Sequence, residues 1–512
     1  MSPARILILV VAYEAESTLA AVLARIPDSL LQHDTEVLVI DDASQDTTFE
    51  TAIRSSEANR HRVRVLCNRE NQSYGGNQKI GYEYAIRFGF DVVILLHGDG
   101  QYAPEVIPAL IAPILDEEAD AVLGSRMLVA GAARRGRMPL YKLIGNRVLT
   151  AVQNRLLGSS LSEFHSGLRA YRVDALRRVP FQFNTNDFHF DTEIIIQFML
   201  GGHRIRQVPI PTHYGDEVCR VNGIRYATAV LLTTCLSRMQ KLHVLYDRRY
   251  DVTGANAVDE LKIGYRSSDT MALDAVRAGS RVLAIGCGPG FIAAQLAAKG
   301  CQVTGVDQRP PAVPHAFTEF LAWKEPDPFP QVDLSRYDVV LMLDVIEHLK
   351  QPECLLDRLR QSARDVHRLP RFIITSGNVA FAIIRVQMLL GNLNYGKRGI
   401  LDLTHTRLYT FASLRRLLEQ CGYRVTRVAG VPAPFPKALG DAALSRALLR
   451  ANEILITLAR RLFAYQIFLV AVPSPSLEAL LNDSIETGRT RAEMLSRGNR
   501  RPTGVSCLSP PR

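Results

Sequence analysis

A chain of 512 residues is longer than one hydrophobic core can organise, because single cores stop growing at about 250–300 residues, so two domains are expected. The 47% hydrophobic and 22% charged fractions exclude a disordered or fibrous chain. The net charge of +10 suits nucleic acid, anionic lipid or phosphorylated small molecules alike and selects none of them. Eight cysteines, with no CxxC pair, argue against a zinc ribbon or disulfide framework and fit a reducing cytoplasm.

The opening apolar run, Ile6 to Ala12, is too short for a secretory signal and no small-residue cleavage site follows, so it reads as a first strand. Strand-like runs recur at 36–41, 63–67, 92–96 and 121–123, with amphipathic stretches between them, the rhythm of βαβ units and a mostly parallel sheet. The stretch "RRGRMPLYKLIGNRVLTAVQNRLLG" (134–158) joins a basic loop to an amphipathic helix. It suits either an acceptor site, an anionic membrane surface, or plain packing. The βα rhythm stops after Tyr246 and restarts at 281–285, 302–306, 338–343 and 372–375. The expected division is a first domain over 1–245, a linker over 246–265, a second α/β domain over 266–473 and a disordered tail over 474–512. No segment has the roughly 20 apolar residues that cross a bilayer.

Ligands of open parallel sheets bind at the carboxyl ends of strands, and two such ends here are acidic: "EVLVIDDAS" delivers Asp41 and Asp42, and "VVILLHGDG" delivers Asp99. Acids gathered there suit two tasks, accepting hydrogen bonds from a nucleobase or ribose, or holding a hard divalent cation across a diphosphate. Helix capping is the structural alternative for any one of them.

The motifs "LVVAYEAESTL", "VLVIDDASQDTT", "NQSYGGNQKIGYEYAIRFGFD", "HGDGQYAPE", "AVLGSRM" and "FHFDTEIIIQFMLGGHRIRQVPIPTHYGDE" stand in the order of family 2 glycosyltransferases with the GT-A fold. Residues 5–235 resemble the dolichyl-phosphate-mannose-synthase-like branch. The resemblance implies a UDP- or GDP-sugar donor held by Ala12, Tyr13, Asp41, Asp42, Gln101 and Arg126, the last against a phosphate. It places Mg²⁺ or Mn²⁺ on Asp99 and puts Asp191 and Glu193 of "FDTE" at the acceptor, where one of them could take its proton. His97 stands at the first DxD position, as a weak ligand or beside one, and Glu14 replaces the usual Asn of "AYNE".

"RVLAIGCGPGFIAAQLAAKGCQVTGVD" is a strand, a Gly-rich turn, a helix and a second strand ending in Asp307. That pattern fits NAD and other adenosyl cofactors equally. The added "YDVVLMLDVIEHLKQPECLLDRLR" and "DLTHTRLYTFASLRRLLEQCGYRV" make residues 260–473 similar to class I S-adenosylmethionine-dependent methyltransferases with their Rossmann-like fold. By that likeness Gly286, Gly288 and Gly290 face the methionine end of S-adenosylmethionine, Asp307 its ribose and Asp344 the adjoining strand end, and His348 is a candidate base. Ala284 at a usually acidic position, and the prolines of "QRPPAVPHA" where a helix is usual, leave a degenerate, scaffolding domain as the alternative.

Together these readings imply a bifunctional enzyme that glycosylates a glycan or polyprenyl phosphate and methylates the same or a related product. It would act in the cytoplasm or peripherally at the inner membrane face, without nucleic acid.

Overall fold

The computed structural model describes residues 4–211, 222–241, 245–252, 263–363, 365, 367–436 and 443–498. The described chain forms two compact units. The first reaches Lys241 and takes in a segment from Leu245, and the second occupies the described chain from Ile263 onward.

The first unit is built on a seven-stranded sheet of β1 (Arg5–Ala12), β2 (Asp34–Asp41), β3 (Arg62–Cys67), β4 (Val92–His97), β5 (Ala121–Ser125), β6 (Arg169–Arg172) and β7 (Ile205–Pro209), in the order β3-β2-β1-β4-β6-β5-β7. β1, β2 and β4 are parallel and almost wholly buried, which is why each reads as an unbroken apolar run rather than an alternating one. The helices Leu19–Ala24 and Ile107–Leu115 cover one face, and Ser73–Arg87 and Phe190–Leu200 the other. The mostly parallel expectation meets one exception, since β6 runs antiparallel to both β4 and β5. Register aligns Ala12 with Asp41 and Val11 with His97, so the three central strands end together.

The second unit has its own seven-stranded sheet: β8 (Arg281–Ile285), β9 (Gln302–Asp307), β10 (Glu319–Ala322), β11 (Val339–Leu343), β12 (Arg371–Gly377), β13 (Tyr423–Val431) and β14 (Gln466–Pro473), ordered β10-β9-β8-β11-β12-β14-β13. Five strands are parallel, and β14 runs antiparallel between β12 and β13. The proline-rich stretch after β9 carries a single 3-10 turn, Pro314–Ala316, in keeping with proline's exclusion from helix interiors.

Two expected segments differ. Part of the linker belongs to the first unit: Arg249 forms an ion pair with the fully buried Glu193, and Tyr250 is buried with its hydroxyl on the Thr233 carbonyl at 3.4 Å. A carboxylate sealed inside a helix needs a cation, and this segment supplies it. The tail expected to be disordered carries a helix, Leu477–Gly498. Leu477, Leu480, Leu481 and Ile485 form a stripe at helical spacing that the Ser- and Arg-rich composition of the segment conceals, and all four are exposed. Residues 499–512 and 253–262 lie outside the described residues.

Candidate active sites

At the carboxyl edge of the first sheet, Asp41 and Asp42 are both buried. Asp41 accepts from the Ser44 hydroxyl at 2.5 Å, and Asp42 from Asn68 Nδ2 at 2.7 Å and the Gln72 amide at 2.8 Å. These bonds tie the β2 end to the loop that opens helix Ser73–Arg87. Ala12 is buried beside them at the end of β1, and Tyr13 is exposed.

Asp99 is the exposed acid of the site. Its side chain is 55% exposed, and Oδ1 accepts only the Gln101 amide, at 3.0 Å. His97 lies 4.0 Å away through Nδ1, but its ring is buried edge-on to Tyr74 and Tyr102, with Nε2 3.1 Å from the Tyr74 hydroxyl. Gly167 closes over it: a Cβ there would stand 2.4 Å from the imidazole. Burial holds the His97 pKa below its usual value despite Asp99 and Asp191, so the ring sits neutral. Among the described residues no three His, Cys, Asp or Glu side chains gather as a metal cage.

The acids of "FDTE" are committed to other partners. Asp191 accepts from Tyr74 Oη at 2.9 Å and Gln78 Nε2 at 3.3 Å, and forms an ion pair with Arg169 at 3.2 Å. Arg169, itself buried, also donates to the carbonyls of Phe164, Ser166 and Asp191. Glu193 takes Arg249 on Oε1 and the Thr185 amide on Oε2 at 2.7 Å. Burial outweighs these partners and raises its pKa. Asp191 is thereby linked through the Tyr74 hydroxyl to His97 Nε2.

Arg126, expected against a phosphate, is bound to a residue the sequence reading passed over. Glu163 accepts from Arg126 Nε at 2.9 Å, from its Nη2 and from its amide at 2.8 Å, and Asn146 adds a bond at 2.7 Å. Burial pushes the Glu163 carboxyl up, but the guanidinium beside it wins and holds it below the usual carboxylate range. A cleft of about 210 Å³ opens beside this pair, lined by Arg126, Arg134 and Arg147 and by Val129, Ala133 and Leu143. A signal for the partner of Asp191 is the first arginine in "GLRAYR", Arg169, an ion on a strand that must be buried, which obliges an acid nearby.

In the second unit the Gly-rich turn follows β8, with Gly286, Gly288 and Gly290 all at positive φ. At Gly286 a Cβ would fall 2.3 Å from Val345, whereas at Gly288 it would meet nothing within 4 Å, so the turn opens onto free space. Asp307, at the end of β9, accepts the Gly288 amide at 2.8 Å and the Arg309 amide at 3.2 Å. Asp307 and Gly288, two of the residues expected to share one cofactor, are therefore in contact. At the next strand end Asp344 has a left-handed backbone, φ 54°, and is held by Thr375 Oγ1 at 2.7 Å and Gln466 Nε2 at 2.7 Å. Such strain persists where the surroundings over-determine it, commonly at functional sites. His348 is exposed, with Nδ1 3.1 Å from Thr404 Oγ1 and its ring edge-on to His405.

Glu347 was not singled out by sequence, yet it is buried beneath this edge. Burial and then the charge of Asp344 push its pKa up to about 8. A carboxyl raised in the folded state contributes stability that is complete below its unfolded pKa and is lost as pH rises through the folded value. Thermal melts of the second unit should therefore fall from about pH 4.5 to about pH 8, and Glu347→Gln should flatten that slope. Equal slopes in the two proteins would show that another group titrates.

Residues 7–179 match the family model described as glycosyl transferase family 2, and residues 267–428 match one described as a methyltransferase domain. An undecaprenyl-phosphate mannosyltransferase of Micrococcus luteus is 29% identical over 207 residues, 40% of this chain and 82% of its own. Polyprenol monophosphomannose synthase of Mycolicibacterium smegmatis is 26% identical over 40% of this chain and 76% of its own. A UDP-N-acetylglucosamine–dolichyl-phosphate N-acetylglucosaminyltransferase of Methanococcus voltae is 27% identical over 47% of this chain and 99% of its own. Among solved structures, glucosyl-3-phosphoglycerate synthase of Mycobacterium tuberculosis, in complex with Mn²⁺, UDP and glucosyl-3-phosphoglycerate, superposes with a TM-score of 0.35 at 21% identity over 45% of this chain and 80% of that one. The chain thus carries two α/β domains, a glycosyl transferase family 2 domain followed by a methyltransferase domain.

Proposed function

We propose that the first unit transfers a sugar from a UDP- or GDP-sugar to a polyprenyl phosphate, and that the second methylates the same or a related product with S-adenosylmethionine. The observation that carries the acceptor class is the commitment of Asp191 to Arg169. A sugar hydroxyl needs a base to take its proton, whereas a phosphate acceptor is already an anion. Its oxygen attacks the anomeric carbon, the bond from that carbon to the diphosphate breaks, and the nucleoside diphosphate leaves with the charge. Arg134 and Arg147 of the cleft, with its apolar walls, suit a ligand with a phosphate head and a hydrocarbon tail, while Arg126 is held by Glu163. Relatives whose names specify polyprenol- or dolichyl-phosphate acceptors support this reading. Asp41 and Asp42 would hold the nucleoside, and Asp99 with Gln101 the diphosphate. A bound Mg²⁺ or Mn²⁺ would offset the charge that develops on the leaving group.

No described helix is long and apolar enough to cross a membrane; the lipid acceptor would be met at the inner face of the bilayer. The helix Leu140–Leu157 exposes Leu140, Ile144, Val148 and Val152 at four-residue spacing beside Arg134, Arg135 and Arg137, which suits such contact. Incubation with a panel of labelled nucleotide sugars, a short-chain polyprenyl phosphate and Mn²⁺ should move label into the organic phase. Transfer to a neutral glycan but never to a polyprenyl phosphate would overturn the acceptor.

For the second unit, Asp307 is the acid most directly tied to the cofactor cradle. A charged hydrogen bond to ribose contributes roughly 1.5–3 kcal/mol, so Asp307→Ala should weaken S-adenosylmethionine binding about ten- to a hundredfold. Calorimetric titration of the full chain checks this. An absence of binding heat in the folded wild type would favour the degenerate, scaffolding reading.

A further inference from the structure

The helix Ala443–Phe463 of the second unit presents three different faces. One is buried against the domain through Ser445, Leu449, Asn452 and Ile456. About a quarter of a turn away, Leu444, Leu448, Leu455 and Leu458 form a row at i, i+4, i+11 and i+14 that is exposed by 56%, 36%, 38% and 76%. The remaining face carries Arg446 and Arg450, and the helix ends in Arg460 and Arg461, against Glu453 as its sole acid.

A second exposed apolar patch begins beside the end of this helix. Asn378 Nδ2 donates to the carbonyls of Arg461 at 3.2 Å and Ala464 at 2.8 Å. Four residues on, the helix Ala382–Leu389 begins, and it and the turn after it expose Val386, Met388, Leu389 and Leu390. Two residues past Ala464, Gln466 holds Asp344. The C-terminal end of the helix and the start of the second patch therefore adjoin the edge of the candidate methyl-transfer site.

We propose that this surface docks the methyltransferase domain on an anionic lipid bilayer, with the leucine row in the acyl boundary and the arginines at the headgroups. A leucine row on one face and arginines on the polar face of the same helix is the pattern of interfacial helices, whose binding combines buried apolar area with attraction to anionic lipid. The docking places the methyl-transfer site at a lipid surface, where its acceptor would be lipid-linked. It does not depend on the activity assigned to either unit.

Flotation of the full chain with vesicles tests it. Wild-type protein should float with mixed phosphatidylcholine and phosphatidylglycerol vesicles, less with phosphatidylcholine alone, and less at high salt. The double variant Leu444→Glu/Leu458→Glu alters only exposed side chains, so its melt and its sugar transfer should not change, while vesicle affinity falls about tenfold or more. The variant Ile144→Glu/Val148→Glu probes the first unit separately, so loss of that contact alone is distinguishable. A direct readout uses the single native tryptophan: with Trp323→Phe and Leu448→Trp, bromine-labelled lipid should quench the new fluorophore. Unchanged vesicle affinity in the leucine variant, or no quenching at position 448 in floated protein, overturns the proposal. A fall in oligomer size with unchanged flotation overturns it too and assigns the face to a second copy.

Discussion

Replacing Asp99 by Asn is expected to lower sugar transfer by about a hundred- to a thousandfold, the loss typical when one group facing developing charge is removed from an active site. The melting temperature should barely move. The side chain is 55% exposed and accepts one hydrogen bond, from Gln101, which an amide oxygen can replace. His97→Ala should cost less activity but some stability, because the buried ring packs between Tyr74 and Tyr102. Transfer at the wild-type rate by folded Asp99→Asn protein, across Mg²⁺ and Mn²⁺, would remove Asp99 from the diphosphate site.

The second large effect is expected on stability. Glu163→Ala leaves Arg126 buried without its carboxylate, and breaking a buried pair on one side typically costs about 3–5 kcal/mol. Both members of this pair are nearly inaccessible, with side chains 7% and 0% exposed, so solvent screens little of the loss. The exposed Arg25–Glu105 pair is the control: Glu105→Ala should cost at most about 1 kcal/mol. Hydrogen exchange of β5 and β6 peptides follows the first unit without interference from the second. Equal protection in the two variants would mean that the Arg126–Glu163 pair contributes nothing. The pH dependence carries the same sign. A carboxyl depressed in the folded state contributes stability above its unfolded pKa, and that contribution is lost as pH falls through the folded value, so wild type should lose protection in acid faster than Glu163→Ala.

The contacts of Arg126 and Asp191 show where reading by motif reaches its end. "GSRM" and "FDTE" are visible in the sequence, and the resemblance assigns one to a phosphate and the other to acceptor chemistry. The structure adds what the motifs do not show, an internal partner for each, Glu163 for Arg126 and Arg169 for Asp191. Glu347 is the opposite case: it follows the noted Asp344 by three residues, yet its burial and raised pKa depend on packing that no local pattern encodes.

The two α/β units, the strand ends bearing Asp41, Asp99 and Asp307, and the Gly-rich turn are all legible in the sequence alone. Each rests on local information: apolar runs of strand length, a polar residue where a run stops, and glycines where φ must be positive. Strands β6, β7, β10, β13 and β14 escape such reading, being short, partly polar or antiparallel additions whose identity comes from pairing. Tertiary structure also decides which acids remain available to a ligand. The partners that claim Glu163, Asp191 and Glu193 lie 37, 22 and 56 residues away in sequence, and a buried charge must find its counter-ion wherever the fold brings one within reach.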